Sequence, residues 1–206
     1  MAGRREESSA ESRRRLLAAA TELVAVVGPR GTSVQAVAER AGISRGSIAW
    51  HFGSKEGLIV EVVKDAFATA LDQYRKRIGK VGTITLGTLI DAHLTVMTSH
   101  SGRVFATVLP EVVLAPGPIR DAYIAGYENS RRFWVDALSE ILSGTPGMPD
   151  PGPLSDVLFG STIGINVMHL LEDSIDPVGG LGSLQRIFDL AVAHSRTKAE
   201  RPAELG

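Results

Sequence analysis

The stretch of residues 32–52 constrains the fold most, because it has the pattern of two short helices joined by a tight turn. Its first half places apolar residues on one helical face, at Val34, Val37, Ala38 and Ala41. Gly42 can adopt a positive φ and end that helix. Ser44 then stands at the N-cap of a second helix, with Ile48 and Phe52 facing inward. The pattern predicts a helix-turn-helix, whose second helix enters the major groove of DNA.

The same residues resemble a known family. The chain contains, in order and without gaps, the runs Gly31-Thr32-Ser33-Val34, Ala38-Glu39-Arg40-Ala41-Gly42-Ile43-Ser44, Gly46-Ser47-Ile48, His51-Phe52 and Lys55-Glu56-Gly57-Leu58. They resemble the DNA-binding domain of the TetR family of transcriptional repressors, over about the first third of the chain. That family usually has a Tyr, which often touches a phosphate, directly after the position of Ile48. Here Ala49 occupies that place and Trp50 follows it.

Two sets of residues are candidates for contacting double-stranded DNA. The outer face of the second motif helix would face the groove with Arg45, Ser47, Trp50 and His51. The helix starts would lie against phosphates through Thr32, Ser44 and Lys55. Ser33, the expected N-cap of the first motif helix, and Gly46 complete the predicted DNA-binding set.

The distribution of charge agrees with this placement. The net charge of the whole chain is -1. Residues 1–60 hold nine basic and six acidic side chains, whereas the remainder holds thirteen basic and seventeen acidic ones. The basic end therefore coincides with the helix-turn-helix, as expected where a protein meets phosphate.

Apolar positions at helical spacing continue through the rest of the chain, without the alternation of a strand. They predict helices over residues 12–27, 55–78, 85–99, 103–114, 118–142, 154–174 and 181–195. Residues 1–9 are expected to form a flexible arm. The predicted fold is all-α, with an N-terminal three-helix helix-turn-helix domain over residues 1–58 and a larger helical ligand-binding and dimerisation domain over residues 59–206.

Composition favours a cytoplasmic protein without a membrane partner. The chain has no Cys, which excludes disulfides and thiol chemistry and fits a reducing cytosol. No targeting segment is evident. The longest apolar run, residues 157–171, is shorter than the roughly 20 residues of a membrane span and contains Asn166 and His169. We interpret this run as a buried helix.

An enzyme or a metal-binding protein is the competing interpretation. The chain lacks a nucleophile elbow, a Walker loop, a dinucleotide-binding glycine pattern and a His-Glu-x-x-His motif. His93 and His100 share a helical face and could bind a metal together with His169 or Glu111, although polar residues lining a cavity explain the same facts. We therefore expect no enzyme activity, catalytic residue, metal or cofactor.

Scattered polar groups among apolar side chains are typical of a small-molecule pocket. The candidate ligand-binding residues are His93, Met97, Phe105, Leu109, Tyr123, Tyr127, Trp134, Ile163, Asn166 and His169. The resemblance implies that a small, partly apolar effector binds among some of them and releases the DNA. A DNA-binding regulator with a filled core and no ligand remains an alternative, as does a small helical metal-binding protein or enzyme.

The two C-terminal helices have more apolar surface than one chain of this size can bury. Residues 154–171 are apolar nearly all round, and the last helix repeats Leu184, Ile187, Phe188 and Ala191 at helical spacing. The resemblance implies that these helices pair with those of a second subunit. The sequence thus predicts a ligand-responsive transcriptional repressor that binds a palindromic operator as a homodimer.

Overall fold

A computed structural model describes residues 2–200 of the chain, and the side chains of residues 7–198. These residues form only helices and their connections: α1 (Ala2–Gly31), α2 (Val34–Ala41), α3 (Gly46–Phe52), α4 (Lys55–Ile78), α5 (Leu86–Met97), α6 (His100–Val113), α7 (Pro118–Ile141), α8 (Pro151–Leu171) and α9 (Pro177–Glu200). The prediction of an all-α fold that begins with a helix-turn-helix is confirmed.

Four helices, α1, α6, α8 and α9, begin three or more residues earlier than predicted. Helix α1 begins at Ala2, so the arm expected over residues 1–9 is wrong for the described residues. Ala, Arg and Glu predominate there and have high helix propensity, which extends the helix beyond its packed part. Helix α8 begins at Pro151, three residues early, because the Asp150 carboxylate accepts the amide of Gly152 at 3.0 Å. Proline in the first turn lacks an amide that would otherwise need a partner.

A kink at Gly28 ends the regular part of α1, as the Gly-Pro pair predicts. Gly28 has φ 69° and ψ 177°, outside the helical region. Side chains of α6 satisfy backbone groups on both sides of the kink. The Thr107 hydroxyl donates to the Val24 carbonyl at 2.8 Å, and the Glu111 carboxylate accepts the Arg30 amide at 3.2 Å. Helix α6 therefore holds the end of α1 through hydrogen bonds as well as apolar packing.

The helices pack into two compact units. Unit 1 contains the described residues up to 70 together with 96–128, and unit 2 contains 71–95 and 129 onward. The core of unit 1 buries small and branched side chains, among them Leu16, Ala20, Val24, Val37, Ala38, Ile48, Leu58, Val62, Val104 and Val108. The core of unit 2 is richer in rings and leucines, among them Tyr74, Leu86, Leu89, Trp134, Leu138, Leu158 and Leu181. The division into domains at residues 58 and 59 stays a prediction.

Helix α8 is buried on one side only, which corrects its interpretation as a helix covered all round. Its buried residues are Ser155, Leu158, Phe159 and Thr162. Val157, Met168 and Leu171 are exposed, Leu171 by 86%. Among the described residues, α8 is the one helix whose length and apolar composition would allow it to cross a membrane. This is weak evidence for a membrane span, because the core helices of soluble proteins pass the same test.

The Gly28 kink can be tested by substitution. Gly28→Ala and Gly53→Ala both place an L side chain at positive φ, 69° and 75°, in sparsely populated backbone regions, which costs about 1–3 kcal/mol of unfolding free energy. A Cβ at Gly28 would also lie 2.9 Å from Glu111 Oε1, whereas one at Gly53 meets nothing within 4 Å. Gly28→Ala should therefore cost about 1 kcal/mol more, through the displaced hydrogen bond to Arg30. Urea denaturation measures both variants, and an equal loss would contradict the role of Glu111.

Candidate DNA-binding and ligand sites

The turn between α2 and α3 has the local geometry that the sequence predicts. The Ser33 hydroxyl oxygen accepts the Ala36 amide at 3.0 Å and caps α2. Gly42 ends α2 in the left-handed conformation, with φ 63° and ψ 37°. Ile48 is only 1% exposed, so it fixes α3 against the core of unit 1. These contacts determine which face of α3 is turned outward.

The outer face of α3 carries the predicted groove-facing side chains. Arg45 is exposed, and Trp50 is exposed by 73%, which is unusual for a large ring. The ring of Trp50 meets that of His51 edge-on, with 4.4 Å between centroids. A Cβ at Gly46 would meet nothing within 4 Å. The face thus offers one guanidinium, one indole and open space for close approach by a partner.

The structure corrects the expectation for the Thr32 hydroxyl. Thr32 is 2% exposed, and its hydroxyl donates to the Gly28 carbonyl at 2.8 Å. The single hydroxyl hydrogen is therefore used within the chain and is not presented to a phosphate. In contrast, Ser33 is exposed, and while its oxygen accepts from Ala36 its hydrogen can still donate outward.

Ser44 and Lys55 also differ in detail from their predicted roles. The N-cap position of α3 is Arg45, without a side-chain cap, and the Ser44 hydroxyl lies 3.0 Å from the hydroxyl of Ser47. The capping role of Ser44 is therefore wrong, although both serines remain on the outer side of α3. The Lys55 ammonium donates to the Arg30 carbonyl at 3.3 Å, so a phosphate would have to compete with that contact.

Arginines of α1 support the motif, and they are absent from the predicted set. Arg13 lies over the Phe52 ring at 5.1 Å and pairs with Glu61 at 2.6 Å. Arg15 donates to the Ala41 carbonyl at 2.5 Å, next to the end of α2. Their position on the polar face of α1 is visible in the sequence, but their targets are 26 to 48 residues away. Only the tertiary structure identifies those targets.

The charge state of His51 bears on how it could meet DNA. Burial, followed by the neighbouring Arg13 charge, lowers the pKa of His51 below its ordinary value. Both causes favour the neutral ring, which can donate from one nitrogen and accept at the other.

The ten ligand candidates fall into both units. In unit 1, Phe105 and Tyr123 pack on Phe67, with centroid distances of 4.4 and 5.1 Å. Met97, Leu109 and Tyr127 also belong to unit 1. In unit 2, His93 and Trp134 are buried together at 5.5 Å. The aromatic candidates therefore form two clusters, one in each unit.

The three candidates on α8 are less buried than His93 and Trp134. Ile163 and Asn166 are half-buried. Nδ1 of His169 lies 2.8 Å from the Ile175 carbonyl oxygen. That contact ties α8 to the loop that follows it, which gives His169 a structural role.

Two cavities lie elsewhere, one in each unit. One of about 280 Å³ lies in unit 1 where α1 ends and α4 begins, and Arg30, Lys55, Glu111 and Arg120 line it together with apolar side chains. One of about 420 Å³ lies in unit 2, with Thr83, Glu140, Phe188 and Arg196 among its walls. None of the ten ligand candidates lines either cavity.

The residues considered for a metal are not gathered. His93 is buried in unit 2 against Tyr74, whereas the Glu111 carboxylate is engaged at Arg30 in unit 1. Within the part of the chain that the structure describes, no group of three or more metal-ligating side chains occurs.

Comparison with known families gives a match at the motif. The family model of bacterial regulatory proteins, tetR family, matches residues 16–62, which span α1, the helix-turn-helix and the start of α4. Over these residues the chain is similar to the TetR family. The matched segment contains the predicted helix-turn-helix, so the match agrees with the expectation from the motif.

Individual relatives extend the likeness. The chain is 34% identical over 101 residues to the HTH-type transcriptional repressor KstR2 of Rhodococcus jostii (strain RHA1), a match covering 47% of this chain. The chain spans half the length of that curated relative. A protein of Saccharomonospora viridis, crystallised in complex with choline, has 20% identity and a TM-score of 0.74, with 87% of this chain and 96% of that chain covered. NemR of E. coli, in its reduced form, has 20% identity and a TM-score of 0.73, with 85% and 97% covered. At these identities, the solved structures establish the fold alone.

The exposed guanidinium of Arg45 generates a prediction about base reading. Arg45→Ala should weaken binding to a preferred DNA sequence by about 1–3 kcal/mol, with a smaller effect on random DNA, because a bidentate contact to a base is lost. Arg103→Ala removes the same charge from an exposed position on α6 and serves as the control. Fluorescence anisotropy on both DNAs measures the difference. Equal losses on both DNAs would make Arg45 a phosphate contact.

Proposed function

We propose that this protein is a TetR-family repressor that binds a roughly palindromic operator as a homodimer and releases it when a small molecule binds. The observation that supports the DNA-binding step is the outer face of α3, where Arg45 and Trp50 are exposed while Ile48 is buried. A helix held in this way can enter the major groove with its polar side toward the bases. A protein of this function acts in the cytoplasm.

The similarity to KstR2, which is named as a repressor, supports repression over activation for this chain. The complex of the S. viridis protein with choline shows a small molecule bound to the same fold. Both observations concern other proteins, and they support the proposal of a small-molecule effector here.

Exposed apolar side chains support a homodimer through α8 and α9. They are Val157, Val167, Met168, Leu170 and Leu171 on α8, and Val178, Ile187 and Leu190 on α9. A contiguous apolar surface on a soluble chain favours cover by another molecule, and a second copy is the simplest one. Two recognition helices related by a two-fold axis then require two half-sites.

Helix α4 is the element through which ligand binding could reach the DNA. It begins at Lys55 in unit 1, where Leu58 and Val62 are buried, and it ends in unit 2, where Tyr74 and Ile78 are buried. Because the helix is continuous, a displacement of its second half can be carried to its first turn. A 100-fold loss of operator affinity corresponds to about 2.7 kcal/mol of coupling between the two sites.

Selection of bound fragments from random DNA tests the proposal directly. The selected sequences should contain two inverted half-sites about one helical turn apart. A screen by thermal shift should then find a ligand that lowers operator affinity. A selected site with a single half-site would contradict the dimeric operator complex, and ligands that bind without changing DNA affinity would favour a ligand-independent regulator.

The dimer has a separate test on α9. Phe188 is only 6% exposed and packs inside its own chain, so it is not suited to test the interface. Leu190 is 71% exposed on the same helix. Leu190→Asp should give monomers in sedimentation velocity and lose operator binding, because a charge would be buried between the subunits. Val81→Asp, at an exposed apolar residue between α4 and α5, is the control and should stay dimeric. A dimeric Leu190→Asp variant would place the interface elsewhere.

A further inference from the structure

Unit 2 contains buried polar atoms without hydrogen-bond partners. Among the described residues these atoms are Gln73 Oε1, His93 Nε2, Trp134 Nε1 and Ser155 Oγ, and all four belong to unit 2. Most buried polar atoms in folded proteins are paired, because an unpaired one loses its bonds to water and gains none. Several unpaired polar atoms in one core are therefore unusual, and they are potential hydrogen-bond partners for a bound ligand.

Three of these four residues belong to one aromatic group, which we call the His93 cluster. It comprises Tyr74, His93, Phe133, Trp134, Ser155 and Phe159. The His93 ring lies 5.5 Å from that of Trp134 and 5.3 Å from that of Phe159, and the Phe133 ring stacks on Tyr74 at 5.5 Å. Ser155 precedes Phe159 by four residues on α8, so both lie on the face that meets His93.

The hydrogen bond from Tyr74 determines which proton His93 carries. The Tyr74 hydroxyl lies 2.7 Å from His93 Nδ1. Burial raises the pKa of Tyr74, and the nearby Trp134 N–H opposes that rise without meeting the geometry of a hydrogen bond. If Tyr74 donates to Nδ1, its hydrogen is used, whereas the opposite arrangement would leave that hydrogen buried and unpaired. The favoured tautomer therefore has its proton on Nε2.

The cluster consequently presents hydrogen-bond donors without a charge. Burial lowers the pKa of His93 to about 3, so the ring is neutral at pH 7. His93 Nε2–H and Trp134 Nε1–H are donors, and the Ser155 hydroxyl can also donate. No Asp, Glu, Lys or Arg is among the buried residues that the structure describes. A charged ligand would thus lose its hydration in this core without gaining an opposite charge.

We propose that the His93 cluster binds an uncharged, ring-bearing compound through a carbonyl oxygen, whose two lone pairs accept hydrogen bonds from His93 and Ser155. This inference rests on the proposed function, since it names the class of effector. The flat rings of the cluster suit a flat ligand, because aromatic pairs are stabilised beyond their burial alone. Phe133 is half-buried, whereas the other rings of the cluster are buried, so it is the most accessible of these rings.

Four matched naphthalene probes test the chemical class on the full chain. They are 2-acetylnaphthalene, 2-ethylnaphthalene, 2-naphthoate and 2-naphthylmethylammonium, which share a ring system and differ in the polar group. The chain has two tryptophans, so Trp50→Phe leaves Trp134 as the fluorescent reporter. Quenching titrations should show the ketone binding about tenfold more tightly than the hydrocarbon, the value of one good hydrogen bond. Tighter binding of either ion, equal binding of ketone and hydrocarbon, or no binding of any probe at millimolar concentration would overturn the proposal.

Two substitutions in the same background test the residues. Ser155→Ala and His93→Phe should each weaken ketone binding by about three- to tenfold and leave hydrocarbon binding unchanged. Ser101→Ala is the matched control, since Ser101 is also a buried serine but belongs to unit 1. Far-ultraviolet circular dichroism checks folding, and the alanine variant decides the outcome if the His93 variant does not fold. Ketone affinity that Ser155→Ala leaves unchanged would overturn the assignment.

Operator affinity of the wild-type chain, measured with and without the ketone, separates this proposal from the proposed function. A ketone that binds through Ser155 but leaves operator affinity unchanged supports the site and contradicts the ligand-responsive repressor. Release of DNA by a compound whose affinity Ser155→Ala and His93→Phe both leave unchanged supports the repressor and overturns the His93 cluster as its effector site.

Discussion

Burial of Ile48 is the contact on which the DNA-binding part of the protein depends. Helix α3 has seven residues, too few to be stable in water by itself. Its orientation therefore comes from packing, and Ile48 supplies the buried side chain. Ile48 shares the core of unit 1 with Val37, Ala38 and Ala41 of α2, and α3 also packs on α1. Because Ile48 is buried, Arg45 and Trp50 are turned toward the outside.

The kink of α1 extends this dependence to α6. A helix that ends at a Gly-Pro pair leaves carbonyls and amides without helical partners. Thr107 and Glu111 supply partners for Val24 and Arg30 from a helix about 80 residues away in the chain. The same turn buries Thr32, whose hydroxyl donates to the Gly28 carbonyl. The polar backbone groups at the Gly28 kink of unit 1 thus have hydrogen-bond partners. These hydrogen bonds hold the end of α1, which precedes the helix-turn-helix.

In unit 2, by contrast, some buried polar atoms lack hydrogen-bond partners. This unit encloses His93 among Tyr74, Trp134 and Phe159, and leaves His93 Nε2 and Ser155 Oγ unpaired. A buried polar group costs about 1–3 kcal/mol of stability as long as it lacks a hydrogen-bond partner. A site that gains its missing hydrogen bonds from a ligand is stabilised by that ligand, and the binding free energy then adds to the stability of the ligand-bound form.

The sequence by itself determined the elements whose cause is local. Helical spacing, Ser33 at a cap and Gly42 at a left-handed turn predicted the helix-turn-helix, and the bounds of α4 coincide with the predicted ones. The outward face of α3 followed from the same periodicity. The sequence did not predict that the ligand candidates would lie in two different units. The spacing of residues along one helix does not show which other helix packs against it.

Tertiary structure alone decided the features that depend on distant neighbours. The bond from Thr32 to Gly28 requires the kink, and the burial of Phe188 requires the other helices of unit 2. Periodicity places Phe188 and Leu190 on one helix, but it cannot say that one packs inside the chain while the other is exposed. The pairing of Tyr74 with His93 joins α4 to α5, and the unpaired atoms beside it depend on side chains from α7 and α8. A sequence lists such polar groups, whereas only their packing decides which of them lack a partner.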